Sequence, residues 1–175
     1  MKKYELTSET KIFFGRTLYR IKALISFGNV NAGDLGGFIE SENNLSQDGN
    51  AWVYDDAEVY GNARVLDNAR VCGNARVCGD AKVWSNAEVC GNARVCGDAE
   101  VYGNAHLMWI SKIGSRNDTV TFVRSKDKTI LVAVGCFIGT IDEFAEAIKK
   151  THRDNEHAKA YFLAIELAKL RIDLT

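Results

Sequence analysis

The central part of the chain, residues 50–109, repeats one six-residue pattern of polar and apolar positions ten times without an insertion. Each unit begins with Asn or Asp and carries Ala at its second position and Val or Leu at its fourth, with a polar residue between them in nearly every unit. In an extended segment, residues two apart share one face, and the residue between them faces the opposite way. The pattern therefore predicts a succession of short strands that bury Ala and Val on one face.

The six-residue period also excludes an α-helix for this region. Apolar residues six apart would rotate around a helix of 3.6 residues per turn and would never form one stripe. The Gly-Asn and Gly-Asp pairs between most units are turn-forming, because Gly readily adopts positive φ. Short strands joined by tight corners indicate a parallel β-helix.

The units resemble the hexapeptide repeat of left-handed parallel β-helix proteins, in which an aliphatic residue points inward and a small residue precedes it by two positions. Three hexapeptides form one coil in that family, so the resemblance implies a mainly β fold with a left-handed parallel β-helix of about three coils over residues 50–109. It also implies that residues 18 apart stack in ladders. The expected corner ladders are Tyr54–Cys72–Cys90, Tyr60–Cys78–Cys96 and Leu66–Trp84–Tyr102.

The segment before the repeat, residues 1–49, is expected to form a β-rich cap, because an uncapped coil exposes an unpaired strand edge. Ile39 and Leu45 are six residues apart, as repeat positions are. They predict that the coil begins here with a shifted phase before Val53.

The segment after the repeat, residues 110–175, is expected to form a small α+β appendage. A hairpin with strands at 118–123 and 129–137 is followed by two helices. The first helix is predicted to start with a capping box formed by Thr140 and Glu143. The second is expected at about residues 156–172 from its apolar stripe.

Composition narrows the functional classes. The 175 residues carry a net charge of −1 and are 46% hydrophobic, which indicates a folded core and argues against a general nucleic-acid binder. No direct DNA or RNA binding is therefore expected. The apolar runs are too short to cross a bilayer, and the N-terminus has no apolar run of a secretory signal. We expect a cytoplasmic protein without a membrane partner.

Four of the five cysteines occupy repeat positions, at Cys72, Cys78, Cys90 and Cys96. No CxxC spacing is present, so no metal site is expected, and no cofactor is expected either. Stacked strands hold side chains parallel, which we take to be a poor approach for a disulfide. The cysteines are therefore expected to be reduced packing residues.

The outward position of each unit is usually charged. By stacking, Arg76 lies above Arg94 and Arg64 above Lys82, so like charges are adjacent. This surface is either a solvated or subunit-contact face or one that faces an anion. Neighbouring Tyr and Trp side chains favour a subunit contact, and the resemblance to left-handed β-helix proteins implies a homo-oligomer, most often a trimer.

The appendage carries the densest polar chemistry. Arg side chains and helix N-termini are suited to phosphate, and Tyr or Phe to stacking on a base. Ordinary loop and cap chemistry is the alternative, since Asn155 would be a good helix cap in any case. The candidate ligand-binding residues are Ser115, Arg116, Asn117, Asp118, Arg124, Lys126, Phe137, His152, Asn155, His157, Lys159 and Tyr161.

Taken together, "GDLGGFIE", the NA-x-V-x-G units, "GSRND" and "GCFIGT" resemble a group of phage and prophage hexapeptide-repeat proteins of poorly defined role. The resemblance implies a phage-encoded protein. By analogy with phage sponges, we expect it to sequester a phosphate-bearing, nucleotide-like signal of host defence without catalysis. One alternative is an acyltransferase of the hexapeptide class using His106 or His152, although the three histidines are scattered and no loop interrupts the repeat. Another is a protein-binding inhibitor or structural scaffold.

Overall fold

The chain begins with a long β-hairpin, made of β1 (Tyr4–Phe13) and β2 (Arg16–Ala23), in a computed structural model that describes residues 1–175. Strand β3 (Leu35–Ile39) pairs antiparallel with β2, and a 3-10 turn follows at Glu42–Asn44. The other edge of β3 is paired parallel with the second strand of the repeat. The hairpin thus extends one face of the repeat region beyond its first coil.

The repeat itself forms nine two-residue strands, one in each of its first nine units. They are β4 (Trp52–Val53), β5 (Glu58–Val59), β6 (Arg64–Val65), β7 (Arg70–Val71), β8 (Arg76–Val77), β9 (Lys82–Val83), β10 (Glu88–Val89), β11 (Arg94–Val95) and β12 (Glu100–Val101). They stack into three parallel sheets, in the orders β3-β5-β8-β11, β4-β7-β10 and β6-β9-β12. The result is a β-solenoid of about four turns.

Strand register confirms that residues 18 apart stack. Val53 lies opposite Val71, and Val77 lies opposite Val95. Ile39 lies opposite Val59 and Leu45 opposite Val65. The sequence separation in these two pairs is therefore two residues longer than the 18 found within the repeat. The shifted phase is confirmed, and it adds the coil that the count of three turns over residues 50–109 left out.

The interior of the solenoid is built from the two small apolar positions of each unit. Every valine from Val53 to Val101 is fully buried, as is every alanine from Ala51 to Ala93. Burial of a Val side chain contributes roughly 1.5–3 kcal/mol before the entropy of ordering the chain is subtracted. This closely filled interior leaves the outward positions and the two ends for function.

The appendage contains four strands, not the expected two. Strands β13 (Leu107–Ile113), β14 (Asp118–Arg124), β15 (Ile130–Val134) and β16 (Phe137–Thr140) form an antiparallel sheet in chain order. A turn at Gly135–Cys136 divides the apolar run that we expected to be a single strand, because Gly135 adopts a φ of 54°. A 3-10 turn at Asn104–His106 leads from the solenoid into β13.

Two helices complete the chain, α1 (Ile141–His152) and α2 (Glu156–Arg171). The predicted capping box is confirmed: the Glu143 amide donates to Thr140 Oγ1, and the Glu143 carboxylate accepts from the Thr140 amide at 2.8 Å. Neither helix has the length and apolar character needed to cross a membrane.

Strand β14 joins the appendage to the solenoid because both of its faces are buried. Phe122 packs with the two helices, whereas Val123 belongs to the core of the solenoid. Backbone groups of the last coil find partners in the residues that follow the repeat: the Arg94 amide donates to Thr121 Oγ1 at 3.0 Å, and the Lys126 amide donates to Asp98 O at 3.0 Å. The last coil is therefore covered.

Lys3 covers the opposite end of the solenoid. Its side chain is 2% exposed, and its ammonium donates to the carbonyl oxygens of Asp48, Gly49 and Ala51, at 3.0 Å in the case of Ala51. Burial lowers the pKa of the Lys3 ammonium to about 8, although the carboxylate of Asp48 opposes this shift.

The prediction that stacked cysteines do not pair was wrong. Cys72 is disulfide-bonded to Cys90, and Cys78 to Cys96, with Cα atoms 4.6 Å apart in each pair. This separation lies inside the range of disulfides, because the corner side chains of adjacent coils diverge little from each other. Cys136 is free and exposed.

Candidate functional site

An apolar pocket of about 210 Å³ lies between the end of the sheet and helix α1. It gathers four of the twelve residues that the sequence singled out. These are Arg116, Phe137, His152 and Tyr161, and they are joined by apolar side chains that include Phe144 and Ile148. The pocket therefore combines an aromatic wall with one guanidinium.

Aromatic rings are the main feature of this pocket, which we call the aromatic pocket. The Phe144 ring centroid lies 5.3 Å from that of Phe137 and 5.3 Å from that of Tyr161. The His152 ring lies 5.8 Å from Tyr161 and 5.8 Å from His157. Such a set of faces and edges is suited to a flat, apolar ligand group.

The hydroxyl of Tyr161 stays protonated at neutral pH. Burial raises its pKa, and the carboxylate of Asp118 raises it further, while Arg116 acts in the opposite direction. The hydroxyl lies directly against the backbone of Gly114, where a Cβ atom would overlap it. Tyr161 is thus a neutral hydrogen-bonding group at the turn between β13 and β14.

A second, polar cleft of about 390 Å³ lies where this turn meets the solenoid. We call it the arginine cleft. Its lining holds no apolar residue. The residues that line it are Asn74, Arg76, Asn92, Arg94, Asn117, Asp118, Thr119 and Gly135. Two of the twelve sequence candidates, Asn117 and Asp118, are therefore on this surface.

The remaining candidates lie elsewhere. Arg124 is at the other end of β14 from Asp118, about 20 Å away at 3.3–3.4 Å per residue. It is buried over the Tyr102 ring and 3.9 Å from Glu100, so it acts as an anchor of the appendage. Lys126 is exposed in the turn after β14, and Ser115 is exposed beside Arg116.

Helix α2 begins with an N-cap residue. Asn155 Oδ1 accepts from the Ala158 amide at 3.0 Å, which is the role of an N-cap. His157 follows in the first turn and contacts His152, while Lys159 is exposed one turn on. None of Asn155, His157 and Lys159 lines the aromatic pocket, and His157 is connected to it through its contact with His152.

Sequence reasoning missed the solenoid's contribution to the site. The stacking of Arg76 on Arg94 was predicted and is observed, but nothing in the repeat indicates that the turn at Asn117 folds back over this face. The signal that could have found it is the repeat position itself, because Arg94 belongs to the last coil of its face and so lies next to whatever covers that end.

His106 is not positioned as an accessible base. It is 5% exposed, and its Nδ1 atom accepts from the Tyr102 amide at 3.3 Å. Burial and the nearby Arg124 lower the pKa of its imidazole, while Asp173 acts in the opposite direction. Its place is in the contact between the last coil and the C-terminal residues.

One group of side chains has the composition of a metal site. The ligand atoms of Cys72, Glu88 and Cys90 lie within 4.8 Å of one another. The two sulfurs are bonded to each other, however, and a metal would require them as thiolates. In this oxidised form the group offers one carboxylate only.

Comparison with known proteins gives a family-model match within the repeat and one curated relative. A family model described as "YdcK Beta solenoid repeat" matches residues 57–73 and 69–83. The chain is also similar to a protein of Escherichia coli (strain K12) named "Uncharacterized acetyltransferase YdcK", with 38% identity over 63 residues. That alignment covers 31% of this chain and 19% of the relative, so the chain spans less than a fifth of the relative's length. The match and the observed coils agree that this is a repeat β-helix protein.

Proposed function

We propose that the protein is a non-enzymatic binding protein that sequesters a phosphate-bearing, nucleotide-like small molecule. The observation that carries the proposal is the aromatic pocket, where Phe137, His152 and Tyr161 form a wall beside the guanidinium of Arg116. Aromatic faces accept a base, and an Arg fork matches the geometry of phosphate.

The biological setting belongs to the same proposal. The resemblance to phage hexapeptide-repeat proteins supports a phage-encoded protein of the host cytoplasm that removes a defence signal. It also supports a left-handed coil and a homotrimer packed along the solenoid faces. Light scattering of the purified protein tests the trimer, and a monomeric mass would contradict it.

The experiment is a calorimetric and thermal-shift screen against cyclic nucleotides and ADP-ribose derivatives. We expect one of them to bind, and to be recovered chemically unchanged by mass spectrometry. Phe137→Ala and Arg116→Ala should each weaken binding by about tenfold or more. Lys126→Ala is the matched control, because it removes an exposed cation at the far end of β14. Failure of every ligand to bind, or binding unchanged in Arg116→Ala, would contradict the proposal.

An acyltransferase of the hexapeptide class is the second candidate. It is favoured by the name of the E. coli relative and by the position of His152 in the aromatic pocket. Turnover of acetyl-CoA that is lost in His152→Ala would select it over the binding function. Turnover lost in His106→Ala alone would instead require the buried imidazole to become accessible.

A further inference from the structure

The arginine cleft has the chemistry of an anion site. Strands β8 and β11 hold Arg76 and Arg94 in register on one face of the solenoid, at the strand spacing of about 4.8 Å. Two like charges directly opposite each other destabilise a sheet unless another group compensates them. An anion between the two guanidinium groups would supply that compensation.

The two arginines are not equally compensated within the molecule. Arg76 Nε donates to the buried carboxylate of Glu58 at 3.1 Å, and Glu58 is also paired with Lys11. Arg94 donates to the carbonyl oxygen of Gly135 instead, and its buried Nε atom has no hydrogen-bond partner. Arg94 therefore has no carboxylate partner, and its positive charge on the cleft is not compensated within the chain, which is costly for a partly buried charge.

The cleft and the aromatic pocket meet at Gly135. This glycine lines the cleft, and a Cβ atom placed on it would lie 2.5 Å from Arg116 Nη2 and 3.2 Å from Asp118 Oδ2. Arg116 in turn lines the aromatic pocket. One short turn thus separates an aromatic surface from a surface with two guanidinium groups.

We propose that the arginine cleft is the phosphate subsite of the ligand whose flat group enters the aromatic pocket. Arg76 and Arg94 hold the phosphates, Arg116 lies at the boundary, and the ligand class is a nucleoside diphosphate or a related polyphosphate. This proposal rests on the proposed binding function. It assigns phosphate recognition to the repeat itself, and not to Arg124 or Lys159.

The test uses two probes, ADP and inorganic pyrophosphate, titrated calorimetrically into the full-length protein. Arg76→Gln and Arg94→Gln should each weaken both probes by about tenfold or more, as expected for the loss of a charge-assisted hydrogen bond. The matched control is Arg70→Gln: Arg70 has the same repeat position on another face and also pairs with a glutamate, Glu88, at 3.8 Å. Binding to this control should equal that of the wild type.

A substitution at Asp118 should strengthen anion binding, whereas those at Arg76 and Arg94 weaken it. Its carboxylate lies on the cleft and repels an anion, while its Oδ1 atom accepts from the Thr119 amide at 2.8 Å, a bond that Asn can keep. Asp118→Asn should therefore tighten pyrophosphate binding by several-fold. A residue with only a structural role in the turn would give no gain.

The outcomes separate the two proposals. Phe137→Ala should weaken ADP and leave pyrophosphate unchanged. Pyrophosphate bound through Arg76 and Arg94 without any nucleotide binding would overturn the nucleotide function and retain the anion site. ADP binding that depends on Phe137 but is unaffected by Arg76→Gln and Arg94→Gln would overturn the subsite and retain the function. No binding of either probe would overturn the subsite, and the nucleotide function would be overturned with it if every ligand of the screen above also failed to bind.

Discussion

Some corners of the coil are formed by glycines that face a glycine of the next coil. Gly79 has a φ of 72°, and a Cβ atom on it would lie 2.9 Å from the amide nitrogen of Gly97 in the next coil. Two separate demands therefore act on this residue. The backbone is in the left-handed region that Gly adopts without cost, and the neighbouring coil leaves no room for a side chain.

Gly79→Ala is expected to lower the free energy of unfolding by more than Gly15→Ala does. Gly15 has a similar φ of 76°, but nothing lies within 4 Å of its Cβ position. Gly15→Ala should therefore cost only the conformational term of about 1–2 kcal/mol for Ala in the left-handed region. The contact with Gly97 should add about 1–3 kcal/mol. Denaturant unfolding of both variants measures the difference, and equal losses would show that coil spacing relaxes.

Lys3 should give the wild type a distinctive pH dependence. Its pKa is about 8 in the folded protein and near 10.5 when exposed, so between these values the unfolded chain binds the extra proton. Stability contributed by this group therefore rises with pH across that window. We expect the unfolding free energy of the wild type, relative to Lys3→Met, to increase from pH 8 to pH 10. A constant difference would mean that the ammonium titrates normally.

At the start of helix α2, a residue that looks functional in the sequence has a structural role. Asn155 and Lys159 were expected to bind ligand because they are polar and lie at a helix N-terminus. Asn155 caps the helix through the Ala158 amide. A helix N-terminus with free amide groups suits an anion, but here the Asn155 side chain already accepts a hydrogen bond from one of those amides.

Asn155→Ala is expected to destabilise the protein by about 1 kcal/mol, the usual cost of losing an N-cap. Asn155→Asp keeps an acceptor and adds a charge that the helix dipole favours, so it should retain full stability. Urea unfolding compares them. If Asn155→Ala left stability unchanged and abolished ADP-ribose binding, the residue would be a ligand contact after all.

Strand β14 marks the limit of what sequence could predict. Its existence followed from the alternation of Val120, Phe122 and their neighbours, and its bounds were correct to one residue. Its burial on both faces did not follow, because Thr121 reads as a solvent-facing residue although it is fully buried against the last coil. The repeat and its stacking were predictable because each unit is a local pattern. The arginine cleft was not, because it depends on how two dissimilar parts meet.

At the scale of the whole molecule, two disulfides join consecutive coils along two corners. Each bond closes a loop of 18 residues in the unfolded chain. Chain-entropy arguments assign roughly 3 kcal/mol to such a loop. In this disulfide-bonded form, covalent bonds as well as the valine core hold the central coils of the solenoid, whereas in a reducing cytoplasm the core would hold them alone.

Replacement of Cys72 and Cys90 by Ser should lower the free energy of unfolding by up to about 3 kcal/mol under oxidising conditions. In the presence of a thiol reductant, the wild type should lose its advantage over this variant. Cys136→Ser is the control, since this cysteine is exposed and unpaired and should change stability by less than about 0.5 kcal/mol. Equal melting of oxidised and reduced wild type would contradict the prediction.

The covered ends of the solenoid also set its length. An open coil offers a row of unpaired backbone groups, and identical chains could add to it one after another to grow a fibre. Here the Lys3 ammonium donates to the carbonyl of Ala51 at one end, and Thr121 Oγ1 accepts from the amide of Arg94 at the other. Growth of the repeat into a fibre by end-to-end addition of coils is thereby blocked at both ends.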